Sequence, residues 1–447
     1  MQALLCDFYE LTMGESYLAE GIDERPATFQ LFCRSLPAGF GYLVAVGVDE
    51  ALAFLEELSF SEDDLAYLET TAVFREDYLA RLRELRFSGE VRAMPEGTIF
   101  FPDEPVLEVT APLLEAQLVE TALINSVHYQ SLVATRAARC VGAAGGRRLI
   151  EFGLRRAYGG EAGVGVARAS YLAGFDATSD VLAGKRYGIP VAGTMAHSFV
   201  ESFRDETEAF RAYTRSYPEG STLLIDTYDT VEGARRAAMV AQELEVQGHR
   251  LGAVRLDSGD LIELSRRVRT VLDEAGLEDV TIFVSGNLDE HEIARLLAAE
   301  APIDGFGVGS RLAVSAGAPF IDLVYKLVVF DGRPVLKLSA DKATLPGSKQ
   351  VWRRSVGNRF VGDVVTLAGE PAPVEALPLL EQAMAGGKRL RRASLETARC
   401  RAASQLASLA PEHRALDARP YPVEIGRGVE ELRRAVAEGL RSSPSGG

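Results

Sequence analysis

The sequence predicts an α/β chain built around an irregular (β/α) barrel. An N-terminal α/β domain precedes the barrel, and C-terminal strands and helices complete that domain. Two observations carry this. From about Leu149 short apolar runs alternate with helical stretches, which implies parallel strands joined by crossover helices. Nearly every run then ends in chemically useful groups: Glu151, Thr194 with His197, Asp226, Arg255 with Asp257, Ser285, and Gly309 with Ser310. An open doubly wound sheet would gather such groups at one switch point, whereas a barrel mouth collects them from many strand ends.

Before the barrel, Thr28–Leu36 and Tyr42–Val48 read as strands, and Glu50–Glu57 and Asp63–Leu85 as helices. Between Gly89 and Val109, short β runs are broken by Pro95, Gly97, Pro102 and Pro105, the pattern of a small antiparallel sheet. Pro112 opens a helix to about Val141, whose Ala116, Val119, Leu123 and Val127 line one face. The barrel strands are expected at Leu149–Phe152, Val191–Gly193, Leu223–Ile225, Ala253–Leu256, Thr281–Val284 and Phe306–Val308. Helices are expected over Thr230–Glu245, Leu261–Ala275 and Glu290–Glu300. Beyond Tyr325, Leu327–Phe330 and Val335–Leu338 flank an Asp331-Gly332 turn and are expected to pair with the N-terminal sheet. The last hundred residues read as surface helices, and Ser442–Gly447 as a disordered tail. Domains are thus expected over 1–112, 113–325 and 326–447.

Composition narrows the function. Of 447 residues, 48 are Lys or Arg and 64 Asp or Glu, a net charge of −16 that argues against a general nucleic-acid binder. A small anion is still admissible, because a few cations or backbone N–H groups can hold one. No apolar run is long enough to span a bilayer, and no secretory leader is evident. Cys6, Cys33, Cys140 and Cys400 lie far apart, as reduced cytoplasmic thiols do. A cytoplasmic protein is expected.

Candidate chemistry clusters in five motifs, with Tyr9 besides. His197, in Gly193-Thr-Met-Ala-His-Ser198, is either structural or a base, metal ligand or phosphate acceptor. In Arg255-Leu-Asp-Ser-Gly-Asp260, Asp257 or Ser258 can cap the next helix. Arg255 shares the face of Asp257 by strand alternation and offers a fork to a carboxylate or phosphate. Ser285-Gly-Asn287 and Gly305-Phe-Gly-Val-Gly-Ser310 are glycine-bearing strand ends, suited either to turns or to cradling a phosphate. Asp226, in Asp226-Thr-Tyr-Asp229, is a helix cap or a ligand to Mg²⁺ or to ribose hydroxyls. Tyr9 lies near the N-terminus, either in a core or free to stack on a ring. Rossmann, P-loop and GxSxG signatures are absent.

Together these pieces resemble the nicotinate phosphoribosyltransferase family over nearly the whole chain. The resemblance rests on Asp7-Phe-Tyr-Glu-Leu-Thr-Met13, Gly41-Tyr42, Glu151-Phe-Gly153 with Arg155, Gly193-Thr194 through His197-Ser198, Arg255-Leu-Asp-Ser-Gly-Asp260 and Leu345-Pro-Gly-Ser-Lys349. It implies a type II phosphoribosyltransferase fold and a homodimer whose active site is shared across subunits. The implied reaction joins nicotinate to phosphoribosyl pyrophosphate, giving nicotinate mononucleotide and pyrophosphate on the way to NAD. ATP is the implied co-substrate, through a transient phosphohistidine at His197, with Mg²⁺ present. Tyr9 of the neighbouring subunit and Phe152 would sandwich the pyridine ring. Arg255 would pair with the ring substituent, with Thr194 beside it. Asp226 and Asp257 would face ribose and metal, while Gly286, Asn287, Gly309 and Ser310 would hold ribose and phosphate. Arg155 would add positive charge.

Rivals within the resemblance are nicotinamide and quinolinate enzymes. Nicotinamide enzymes place an Asp where Phe175-Asp-Ala-Thr-Ser179 aligns, and Ser179 there would not repel a carboxylate; Asp180 is adjacent. Quinolinate would call for more Arg and Lys around Arg255. A third reading, an inactive binding relative, sits poorly with the retained His197, Arg255, Asp257 and Tyr9. Cys6 stands where Thr is common in the family. A C-terminal cysteine metal site of some relatives is not available with only Cys400 there.

Overall fold

Six parallel strands form the sheet that positions the site in the computed structural model, which describes residues 2–338 and 344–442. They are β1 (Arg148–Glu151), β2 (Ala177–Thr178), β3 (Thr222–Leu224), β4 (Ala253–Leu256), β5 (Thr281–Ser285) and β6 (Gly305–Val308). Their order is β2-β1-β6-β5-β4-β3. The last strand therefore pairs with the first, Phe306 opposite Leu149 and Val308 opposite Glu151, while β3 to β6 run in sequence. That is the cyclic order of a barrel with one seam open between β2 and β3, not the order of a doubly wound sheet. The irregular barrel expected from the sequence is the fold found.

The expected strand at Val191–Gly193 shrinks to a single bridge between Val191 and Thr178. Pro190, with no N–H to donate, and Gly193 bound this segment, so no ladder extends from it. Leu149, Leu224, Val254, Leu256, Ile282, Val284, Phe306 and Val308 are almost wholly buried. Their continuous apolar runs are those of strands covered on both faces.

The loops after these strands share one device. Asp180, Asp229, Asp260 and Asp289 each cap the following helix by accepting backbone N–H groups of its first turn. The caps suggested for Asp226, Asp257 and Ser258 are thereby corrected. In Asp226-Thr-Tyr-Asp229 and Asp257-Ser-Gly-Asp260 the second aspartate satisfies the helix, which leaves the first at the strand end for other work.

The chain divides into two compact units, residues 133–319, which hold this sheet, and residues 1–132 with 320–447. The division falls inside helix Glu120–Ala144. In the second unit, Leu323–Phe330 pairs antiparallel with Pro26–Cys33, which continues through Pro105–Pro112 and Glu90–Ala93 to Glu381–Ala385. Val335–Leu338, expected as a strand, is irregular, and only Arg333–Pro334 continues the hairpin. The helix expected over Asp63–Leu85 is two, Glu62–Thr70 and Glu76–Glu84, separated by a turn in which Ala72 has φ +54°. The stretch from Pro112 is also two helices, Leu113–Leu118 and Glu120–Ala144.

The C-terminal hundred residues are not helices alone. Lys349–Val356, Arg359–Leu367, Ala376–Pro378 and Val423–Ile425 form a four-stranded sheet, and Leu395–Ser408 and Arg427–Ser442 are helices. Residues 443–447 of the expected tail lie outside the described residues. No helix among the described residues is long and apolar enough to cross a membrane. The four cysteines are free thiols.

Candidate active site

Phe152, Phe283 and Arg255 come together because their strands neighbour one another and the side chains alternate. Phe283 lies opposite both Arg255 on β4 and Gly305 on β6. Phe152 follows β1 and its backbone N–H donates to Val308 O at 2.8 Å. The two rings sit 6.2 Å apart and tilted, packed with Ile150 and Ala177. A Cβ on Gly307 would meet the Phe152 ring at 2.5 Å, and one on Gly305 would meet the Phe283 ring at 2.7 Å. These two glycines therefore make room for aromatic rings, which accounts for part of the Gly305–Ser310 motif on packing grounds.

Arg255 is held on every side. Its Nε donates to Ser285 Oγ at 2.9 Å, Nη1 to Thr194 Oγ1 at 2.5 Å and Met195 O at 3.2 Å, and Nη2 to Asp257 Oδ1 at 3.1 Å. The guanidinium carbon lies 5.7 Å from the Phe152 ring centroid. This side chain is only 13% exposed, so its direction is set before any ligand arrives.

Asp257 receives Ser285 Oγ–H at 2.5 Å in addition to Arg255. Burial alone would raise its pKa, but the Ser285 hydroxyl and the Arg255 charge outweigh it and hold the carboxyl below its ordinary value. Asp226 reaches across from β3: its Oδ2 accepts Asp257 N–H at 2.8 Å and Ser258 Oγ–H at 2.7 Å. Asp226 Oδ1 is buried with no partner. His197 begins the short helix His197–Glu201, and its Nδ1 lies 3.2 Å from Thr227 Oγ1. Glu151 is fully buried, accepts Thr178 Oγ1–H at 2.6 Å and the Gly153 N–H, and is pushed up to about 7 by burial.

The structure thus brings Phe152, Thr194, Arg255 and Asp257 into one connected set, with Asp226 joined to it through Asp257. His197 and Thr227 stand alongside at the same strand ends. Ser179 N–H donates to Glu151 O at 2.9 Å at the exit of β2; Asp180 caps the next helix through Oδ1, and its Oδ2 is buried with no partner. Gly286 has φ +92°, and a Cβ there would meet Asp257 O at 2.1 Å; Asn287 has φ +50°. Gly309 precedes the turn Ser310–Ala313 and packs on Phe152 O. Arg155 is exposed in the short turn Leu154–Arg156. Tyr9 belongs to the other unit, 45% exposed on helix Phe8–Ala19. Its hydroxyl pKa is raised by burial and by Glu120 nearby.

Ser285 and Thr227 lie within strand-end motifs read from the sequence but receive no role of their own there. Ser285 orients Arg255 and Asp257 together, and Thr227 engages His197. Each stands at a strand end, which was the available signal.

For Mg²⁺, no group of three or more His, Cys, Asp or Glu among the described residues could form a cage. The orphaned Asp226 Oδ1 beside Asp257 nonetheless fits an ion that keeps waters and substrate oxygens as its other ligands.

Fold and site define an α/β-barrel enzyme whose mouth presents a preset arginine over an aromatic face. Residues 4–128 match the nicotinate phosphoribosyltransferase (NAPRTase) N-terminal domain, and residues 147–345 match the nicotinate phosphoribosyltransferase (NAPRTase) family. The chain is 48% identical over 439 residues to the Mycobacterium tuberculosis nicotinate phosphoribosyltransferase pncB2, covering 97% of this chain and 93% of that one. It is 44% identical over 377 residues to the Bacillus subtilis nicotinate phosphoribosyltransferase, covering 82% and 76%. The crystal structure of human nicotinic acid phosphoribosyltransferase aligns with a TM-score of 0.86 at 33% identity, covering 96% and 99%. This chain belongs to the nicotinate phosphoribosyltransferase family.

Proposed function

We propose that the protein condenses nicotinate with phosphoribosyl pyrophosphate to give nicotinate mononucleotide and pyrophosphate. The observation that carries this is the Arg255 guanidinium, locked by Ser285, Thr194 and Asp257 beside the Phe152 ring. A planar aromatic acid suits such a place: its ring packs on Phe152 and its carboxylate takes the guanidinium edge. Fixing the ring directs the pyridine nitrogen at the ribose carbon it attacks. As the pyrophosphate bond loosens, positive charge develops on the ribose, and the ionised Asp257 stabilises it. Asp226 and Asp257 would hold Mg²⁺, which when bound neutralises charge on the leaving pyrophosphate. Gly286, Asn287, Gly309 and Ser310 hold the ribose and its phosphate through backbone N–H groups. Ser179 lines the acid's end, and Arg155 adds positive charge at the rim.

ATP serves as co-substrate by phosphorylating His197. With Nδ1 engaged by Thr227, Nε2 is the nitrogen for the phosphate. The working form is a cytoplasmic homodimer in which the exposed Tyr9 closes the ring site of the other copy. Ser179, where an amide-accepting Asp would stand, does not repel a carboxylate, which favours the acid over nicotinamide.

Labelled nicotinate, nicotinamide and quinolinate, each with phosphoribosyl pyrophosphate and Mg²⁺, with and without ATP, test the reading. Mononucleotide is expected from nicotinate and to rise with ATP; product from nicotinamide alone refutes it. Acid-labile phosphate should appear after ATP treatment and be missing in His197→Ala. ATP stimulation that survives that change removes the phosphohistidine.

A further inference from the structure

The loops leaving β5 and β6 are tied together by two sets of charged contacts that the roles above do not use. Asp289 caps helix Glu290–Ala298 with Oδ1, while its Oδ2 takes Arg311 Nη1 at 2.7 Å. Arg311 lies in the turn that opens directly after Gly309. Its side chain is 45% exposed against 11% for Asp289, so a partly open arginine is anchored through Nη1 to a nearly buried carboxylate. Burial opposes ionisation of Asp289, but the Glu292 N–H and Arg311 hold its carboxyl below the ordinary value.

The second tie is buried. Glu290, the first residue of its helix, is 1% exposed and takes Arg136 Nη2 at 2.9 Å and Arg139 Nε at 3.0 Å. Arg136 also donates through Nη1 to Ala316 O. It therefore joins the residue after the first loop to the segment after the second. A buried charge cluster of this kind is costly unless its geometry is kept, so it resists relative movement of the segments it joins. The strands behind the loops are adjacent, with Ser285 opposite Gly307. In (β/α) barrels, the loops after the last strands and a short extra helix commonly form the phosphate site.

We propose that Asp289 and Arg311 act as positioning residues. Backed by Arg136 and Glu290, their clasp sets the spacing of loops 286–289 and 309–311. That spacing fixes the affinity for the ribose phosphate of phosphoribosyl pyrophosphate. The inference rests on the reading that these loops hold that phosphate.

Initial rates against each substrate test it in the wild type, Asp289→Asn, Arg311→Ala, Arg311→Lys and the Asp289→Asn/Arg311→Ala double variant. Asn still caps the helix, so Asp289→Asn decides the matter if Arg311→Ala fails to fold. The KM for phosphoribosyl pyrophosphate should rise about tenfold in Asp289→Asn and Arg311→Ala, while the KM for nicotinate and kcat stay within about twofold. The double variant should be no worse than either single one, and Arg311→Lys should recover most of the affinity. An unchanged KM for phosphoribosyl pyrophosphate, equal rises in both KM values, or additive losses overturn the clasp. A wild type that makes no mononucleotide overturns the functional reading and this inference with it.

Discussion

Arg255 and Asp257 leave β4 two residues apart and meet again at 3.1 Å, with Ser285 bonded to both. Strand alternation places the two side chains on one face, and the neighbouring strand supplies the hydroxyl that fixes their separation. A positive and a negative group are thus held ready side by side, one to receive the acid and the other to face the charge that develops on the ribose. Each makes the other tolerable in a half-buried place.

Arg255→Ala should raise the KM for nicotinate. A charge-assisted hydrogen bond contributes about 1.5–3 kcal/mol, so the rise is roughly ten- to a hundredfold. Arg255→Lys should not restore it, because an ammonium cannot reach Ser285, Thr194 and Asp257 while presenting a flat edge to a carboxylate. Steady-state kinetics with nicotinate as the varied substrate check this, and an unchanged KM would place the acid elsewhere.

Ser285→Ala should shift the acid side of the pH–rate profile upward. The hydroxyl is the foremost group lowering the Asp257 pKa against the effect of burial. Without it the carboxyl protonates at higher pH. The stability contribution of a depressed carboxyl is present above its unfolded value and lost as pH falls through the folded one. The variant should therefore lose activity earlier on acidification, and its thermal midpoint should lie below that of the wild type at neutral pH, with the gap narrowing as pH falls. Profiles of kcat/KM and of thermal midpoint against pH make the comparison.

The barrel and the centre of its site were legible because both follow from strong local rules. Ala253–Leu256 falls where the apolar run placed it, and alternation alone put Arg255 with Asp257. The missed pieces depend on partners distant in sequence. Ser285 is one more strand-end serine until β5 docks beside β4, and Thr227 has no evident task until His197 lies next to it. The strands Lys349–Val356 and Arg359–Leu367 escaped notice because they carry Arg353, Arg354, Arg359 and Asp363, residues that read as surface helix. Arg353 is instead buried against Asp363, at 3.0 Å from Nε to Oδ1, with the Phe101 and Phe360 rings around it. The charges interrupt the apolar residues, among them Val351-Trp352 and Val364-Val365, that would otherwise read as strands.

Gly286→Ala and Gly309→Ala should separate geometric need from tolerance. At Gly286 the backbone has φ +92° and a Cβ would stand 2.1 Å from Asp257 O. The strained conformation costs roughly 1–2 kcal/mol and the overlap about 1–3 more, and relief of the overlap must displace the Asp257 backbone. At Gly309 φ is −132° and the nearest atom, Phe152 O, is 2.8 Å away. Gly286→Ala should melt well below the wild type and lose nearly all activity, Gly309→Ala much less of both. Calorimetry beside the kinetic assay gives the order, and the reverse order would contradict the geometry.

Glu151→Gln should flatten the pH dependence of stability between weak acid and neutrality. Burial raises the Glu151 pKa from its ordinary 4.5 to about 7, against the pull of the Thr178 hydroxyl and Gly153 N–H. A carboxyl raised on folding binds its proton in the folded chain over a range where the unfolded chain has lost it. Its contribution is therefore full below pH 4.5 and declines as pH rises through 7. The whole effect is on the order of 3 kcal/mol for so deeply buried a group. Gln carries no charge to desolvate, and its amide oxygen can keep the Gly153 N–H while the Thr178 hydroxyl turns to accept. Glu10 and Glu206 are also raised to about 7, with the same sign, but they are common to both proteins and cancel in the difference. Denaturant unfolding at pH 5 and pH 8 should show the wild type losing more stability across that interval than Glu151→Gln. Equal losses would mean that Glu151 is ionised throughout.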